Sequence, residues 1–273
     1  MRIKRYFSDD YLERVKSDFK FLVKVFDSFH GEFDFAIRDD YFNIYYKGNS
    51  LARVHINKNG TYRVNADEKF IVGTKADNPK YYKMKTKVGS IILSKNNLDP
   101  FFQKEHLKEF ASRIKKVNYG EEINFEQSLI TDNINREDFI IIDRQVTDSR
   151  FDKRKLDLLA LKKVTGNQFK FIVCEVKLGN NDELKDKVAS QLSGYVKHIE
   201  KHFDDYKECY ELNYEQKKEL GFIKKPQYDE IDIVKPVEGL IVVGGYSGIA
   251  KVQIKSLRNN YPDLTIRQFT YKI

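Results

Sequence analysis

No run of apolar residues in this chain approaches the length needed to cross a bilayer, which excludes a membrane-spanning helix. An apolar signal segment is missing too: MRIKRYFSDDYLERV begins basic and turns acidic, so a cytoplasmic protein is expected. Cysteine is scarce. The two present, Cys174 inside an apolar run and Cys209 in a polar segment, are too few for a disulfide framework and fit a reducing compartment. Internal repeats and low-complexity tracts are also absent, and with them any repeat architecture.

What is present is 273 residues, enough for one large domain or two modest ones with a sizeable core. Charged residues make up 33%, and 49 basic against 41 acidic side chains leave a net charge of +8. That excess favours acidic partners such as nucleic acid, although a ribosomal or membrane-surface protein would show similar totals. The partner must be read from where the charges sit.

After Ser8, with Asp9 and Asp10 in the first turn, the spacing of Leu12, Val15, Phe19, Leu22, Val23 and Phe26 predicts one helix ending near Gly31. The period then changes. Residues 33 to 72 are short aromatic or β-branched runs punctuated at Lys47-Gly48-Asn49 and Asn59-Gly60, which predicts an antiparallel meander. Asp99-Pro100 opens a helix carrying Phe102, Leu107, Phe110, Ile114 and Val117. Residues 1 to 117 therefore read as an N-terminal α+β unit, made of a helix, a small sheet and a helix.

Residues 118 to 273 read as a second domain. EEINFEQSLITDN predicts a helix; FIIIDRQV, KLDLLALKKV and FKFIVCEVK predict three strands; DELKDKVASQLSGYVKHIEKHF predicts a long helix with Val188, Leu192, Tyr195, Val196 and Ile199 on its apolar side. A polar stretch of weaker pattern follows, and VEGLIVVGGY returns as a buried strand. The order α-β-β-β-α-β indicates an α/β (α+β) mixed sheet flanked by helices.

The chemistry gathers where apolar runs end. FKFIVCEVKLG, residues 169 to 179, starts as a strand covered on both faces and then sets Glu175 and Lys177 on one face, two residues apart. Charged groups beside a core are costly unless paired, wet or bound. If the second and third strands form a hairpin around Thr165-Gly166-Asn167, Asp157 becomes the neighbour of Glu175, and Glu126 on the preceding helix is a third carboxylate at the end of an apolar run. A plain two-residue loop would put Asp157 opposite Val176; an odd loop or a bulge is needed to set it opposite Glu175. Two such carboxylates repel unless a cation lies between them, and hard oxygen ligands suit Mg²⁺ or Mn²⁺. Lys177 would orient a water or balance charge on a phosphate, the chemistry of phosphodiester hydrolysis.

With Glu126, Asp157 and Glu175-Val176-Lys177 on those elements, and Gln191-Leu192-Ser193-Gly194-Tyr195 on the next helix, residues 118 to 250 resemble the PD-(D/E)XK nuclease superfamily. The last segment is similar to the Gln-x-x-x-Tyr signature of its RecB-like branch. Leu156 stands where the motif's proline would be. The resemblance implies a restriction-endonuclease-like core and a metal-dependent nuclease acting on DNA, in repair, restriction or defence. Asp157, Glu175, Glu126 and the Val176 carbonyl would then serve the metal, Lys177 the water or phosphate, and Gln191 and Tyr195 the walls of the site. The partner expected is DNA, with a homodimer as an option and no membrane.

Plainer readings stand beside these. Asp157 and Glu175 also suit ordinary strand ends paired to Lys155 and Lys177, and a non-cleaving binding module on a nuclease-like fold is the alternative function. Lys80, Lys83, Lys85 and Lys87, interleaved with Tyr81 and Tyr82 in NPKYYKMKTKV, suit a nucleic-acid strand or equally a lysine-guarded edge strand. His198, His202 and Cys209 lack the dense spacing of a zinc site. Gly244-Gly245 reads as a tight strand-to-helix turn rather than a phosphate loop, because no Gly-Lys-Ser/Thr ending follows.

Overall fold

The computed structural model describes residues 2–87, 89–117, 120–151, 155–185, 187–226 and 228–270. They are mixed α+β and fall into two compact units: residues 4–131 with 215–224, and the remaining described residues. Among the described residues no helix is long and apolar enough to cross a membrane.

The first unit opens with α1 (Asp9–Asp18) and α2 (Phe21–Asp27) rather than the single helix that the apolar spacing predicts. The break falls at Phe19, whose ring is buried edge-on against Phe42 and Tyr62 at 4.9 and 5.2 Å. Aromatic packing there outweighs helical continuity. The meander follows as β1 (Phe33–Ile37), β2 (Tyr41–Tyr46), β3 (Asn49–Ile56) and β4 (Tyr62–Asn65). Lys47 and Gly48 both have positive φ, the geometry a tight hairpin turn demands. After α3 (Glu68–Ile71), β5 (Met84–Lys87) and β6 (Ser90–Leu93) extend the sheet in the order β1-β2-β3-β4-β6-β5, leaving β5 at the edge. The helices α4 (Leu98–Phe101), α5 (Lys104–Val117) and α6 (Glu121–Asn133) follow.

The second unit is built on β7 (Phe139–Val146), β8 (Leu156–Thr165) and β9 (Gln168–Leu178), then α7 (Lys187–Lys201), α8 (Phe203–Glu219), β10 (Asp232–Ile233), β11 (Glu238–Gly244), α9 (Ser247–Asn260) and β12 (Thr265–Phe269). Its sheet runs β12-β11-β9-β8-β7, with β10 also paired to β9. β7, β8 and β9 are antiparallel neighbours, whereas β9, β11 and β12 run parallel. Central β9 buries Phe169, Phe171, Val173 and Val176 completely, as its two-faced apolar pattern predicts.

α8 corrects the expectation of a weakly patterned polar stretch. Phe203, Tyr206, Tyr210 and Tyr214 recur at helical spacing and are buried, three of them edge-on to Phe171. Their hydroxyls find partners: Tyr206 donates to Asp148 at 3.2 Å, Tyr210 to Asp143 at 3.0 Å and Tyr214 to the Pro226 carbonyl at 2.8 Å. The stripe is amphipathic within each side chain, so a hydropathy pattern barely registers it.

Candidate active site

Register decides the site. β8 and β9 pair Leu158 with Cys174 and so on to Lys163 with Phe169, but then Thr165 with Gln168, which leaves Val164 as a bulge beside the Gly166-Asn167 turn. The bulge supplies the extra residue that the two-residue turn lacks. Continued one step beyond Leu158 and Cys174, the same register sets Asp157 across from Glu175, and both fall on the face that carries Phe171 and Val173. Asp157 is fixed further by accepting the Val176 N–H at 2.9 Å.

Lys177 completes the group. Its Nζ lies 2.9 Å from Glu175 Oε1, 3.5 Å from Glu183 Oε2 and 3.7 Å from Asp157 Oδ2. Glu175 and Lys177 are buried, Asp157 keeps 14% of its side chain in solvent and Glu183 keeps 38%, so access is from the Asp157 and Glu183 side. Sequence reasoning did not single out Glu183. The signal was available: Asn181 accepts the Glu183 N–H at 2.9 Å as the N-cap of the short 3-10 turn Asp182–Leu184, which follows directly on β9.

The electrostatics are those of a group short of positive charge. Burial raises the Glu175 carboxyl to about 7, and the charge of Asp157 adds to the shift while Lys177 opposes it. One of its oxygens, Oε2, is buried and has no hydrogen-bond partner among the described residues. Gln191 Oε1 is in the same condition, on α7 at the margin of the buried stripe Val188, Leu192, Tyr195 and Ile199. α7 covers the Glu175 face, because a Cβ on Gly239, which pairs with Val173, would lie 2.9 Å from Leu192. Buried acceptors without donors cost about 1–3 kcal/mol each. A cation would relieve Glu175 directly, so this donor set fits a hard divalent ion such as Mg²⁺ or Mn²⁺. Among the described residues no group of three or more His, Cys, Asp and Glu side chains is arranged to hold a metal.

The other candidates are dispersed. Tyr195 is buried, donates to the Lys155 carbonyl at 2.7 Å and packs on Phe151, so it braces the entry of β8 two residues before Asp157. Val176 turns its side chain to the opposite face and meets Asp157 through its N–H. Glu126 is buried on α6 in the first unit, whereas Asp157, Glu175 and Lys177 belong to the second.

In the edge segment, Tyr81 is buried against His106, and Lys80 lies 4.8 Å over the Tyr81 ring. Lys85 and the half-buried Tyr82 both reach Asp77, and Lys83 is exposed. The Lys87 side chain lies outside the described set. Tyr81 is thus closed to stacking, whereas Lys80, Lys83 and Lys85 remain exposed.

His198 is buried and bonded to Asp148 at 3.1 Å, within a network that adds Arg150, Tyr206 and Asp205. Burial pushes the Asp148 carboxyl up, but the hydrogen bonds from Arg150 and His198 outweigh it and hold the group well below the usual carboxylate range. That network ties the loop after β7 to α7 and α8. A cavity of about 480 Å³, lined by Phe139, Ile172, Leu240 and Arg267 among others, opens on the other face of the sheet and contains none of the candidate residues.

Comparison of the chain with protein-family models, with curated proteins and with solved structures finds no match.

Proposed function

We propose that the second unit is a divalent-metal-dependent nuclease that hydrolyses DNA phosphodiester bonds with a PD-(D/E)XK-type group. The observation that carries this reading is the bulge at Val164, which brings Asp157 and Glu175 to one face beside Lys177, where a buried Glu175 oxygen has no partner among the described residues. A bound Mg²⁺ or Mn²⁺ supplies Lewis-acid stabilisation of charge on the phosphate. Asp157, oriented by the Val176 N–H, and Glu175 are the side chains that would hold it. Lys177, which reaches the carboxyl groups of Glu175, Glu183 and Asp157, orients a water or neutralises charge growing on the phosphate. Tyr195 and Gln191 position the α7 side of the group.

One observation favours a binding module instead: Lys177 already touches all three carboxylates, as a closed ion-pair cluster would. The two readings separate in one experiment. Labelled DNA is incubated with the protein and increasing Mg²⁺ or Mn²⁺, with Asp157→Asn as control. Metal-dependent cleavage that the variant loses supports the nuclease; binding without cleavage at any metal concentration overturns it.

A further inference from the structure

The helix α9, SGIAKVQIKSLRNN, contains no acidic residue. Ala250, Gln253, Ile254 and Leu257 are its buried side, which fixes the remainder in solvent. Around the exposed side Lys251, Lys255 and Arg258 form one stripe, and Ile249 and Val252, which are 53% and 73% exposed, form the stripe beside it. Tyr246, just before the helix in a left-handed conformation, is also exposed.

Single exposed apolar residues need no explanation, and a solvated helix face ordinarily carries charges of both signs. This face carries one sign only. Among the described residues Lys251, Lys255 and Arg258 have no ion-pair partner. Three unneutralised cations beside exposed apolar side chains complement a chain of regularly spaced anions that also presents apolar faces. An unpaired nucleic-acid strand has that chemistry: phosphates for the cations, and base faces for Tyr246, Ile249 and Val252.

The position of α9 agrees. The Gly179 N–H, two residues beyond Lys177, bonds to the Gly244 carbonyl at 2.9 Å, and a Cβ there would lie 2.8 Å from Ala250 Cβ and 3.0 Å from the Tyr246 carbonyl. The 3-10 turn bearing Glu183 packs on α9 as well. The first turn of α9 thus borders the strand end that carries the acidic group.

We infer that the exposed face of α9 seats a single-stranded stretch of nucleic acid beside the Asp157, Glu175 and Lys177 group. This deepens the nuclease reading and rests on it, by naming the substrate class as single-stranded or strand-separated. The test is binding of labelled 20-nucleotide single-stranded DNA, the same RNA and a blunt duplex, in EDTA and across a salt series.

Either single strand is expected to bind more tightly than the duplex. Replacing Lys251, Lys255 and Arg258 with alanine together should cut the slope of log affinity against log salt by about 2, at ~0.7 for each single-strand phosphate contact. Ile249→Ser with Val252→Ser should weaken binding about fivefold or more at an unchanged slope, as lost base contacts would. All five positions are exposed, and thermal unfolding confirms that each variant is folded. A triple variant with the wild-type slope, or a duplex preference, overturns the inference. If wild-type protein cleaves with Mg²⁺ while the triple variant binds and cuts equally well, this inference alone fails. If single strands bind through α9 but no metal supports cleavage, the nuclease reading fails and the binding face stands.

Discussion

Glu175→Gln tests the acidic group without any substrate. In the folded protein, burial and then the charge of Asp157 raise this carboxyl from an ordinary 4.5 to about 7. The folded state therefore holds the proton more tightly than the unfolded chain does. The stabilisation is fully present below pH 4.5 and is lost as pH rises through about 7. At ~1.36 kcal/mol per pH unit the whole change is about 3 kcal/mol, of which about 2.5 kcal/mol falls between pH 5 and 8. Glutamine keeps the shape and cannot ionise. Lys177 retains Asp157 and Glu183 as partners, so the substitution does not strand its charge.

The assay is urea unfolding in EDTA at half-unit steps from pH 5 to 8 for both proteins, taking the difference so that titrations common to both cancel. The variant should gain about 2.5 kcal/mol on wild type across the range. In wild type, added Mg²⁺ should reduce the difference, because a cation replaces the proton as the partner of the carboxylate. A flat difference from pH 5 to 8 would show that Glu175 ionises as an exposed glutamate does, and the desolvated charge group would have to be abandoned.

Asp157→Asn keeps an acceptor for the Val176 N–H but removes a charge and a hard ligand. Cleavage should fall about a hundredfold or more, stabilisation by Mg²⁺ should disappear, and DNA affinity in EDTA should hold or rise; cleavage at the wild-type rate removes Asp157 from the mechanism. Asp148→Asn deprives Arg150, His198 and Tyr206 of their shared carboxylate and should cost about 3 kcal/mol in urea unfolding, with cleavage per folded molecule unchanged. A large loss of specific activity there would give the network a direct part in the reaction. Tyr195→Phe loses the bond to the Lys155 carbonyl and should cost about 1 kcal/mol, lowering cleavage but leaving metal-free DNA affinity alone. A fall in that affinity would identify Tyr195 as a direct contact.

The strands were legible because their signals are local. Alternation and turn residues locate β1 to β4, β8 and β9, and the need for either an odd loop or a bulge, of which the hairpin has the bulge, followed from counting the residues between Asp157 and Glu175. The misses came from tertiary effects. Phe19 leaves its helix to meet Phe42 and Tyr62, and α8 hides a buried face made of tyrosines whose hydroxyls bond to Asp148 and Asp143. Glu183 was missed because its approach to Lys177 depends on the chain folding back after β9, a path that strand periodicity does not encode. Tyr81 looked suited to stacking because an aromatic flanked by lysines reads the same whether its ring faces solvent or, as here, is buried against His106.

The Val164 bulge has a genetic meaning. Because side chains alternate with period two, the hairpin is read in a frame of its own, and the bulge is its one compensating insertion. Loss of a single codon from either arm, between residues 158 and 163 or between 169 and 174, either discards the bulge or turns Asp157 and Glu175 to opposite faces, and in both cases it flips part of one arm's apolar side chains out of the core. At the tip the constraint lapses: a residue lost between Val164 and Gln168 can leave the pairs from Leu158–Cys174 to Lys163–Phe169 as they are. A library of one-codon deletions across the hairpin would thus trace the acidic group as a pattern of silent alleles at the turn and null alleles along both arms.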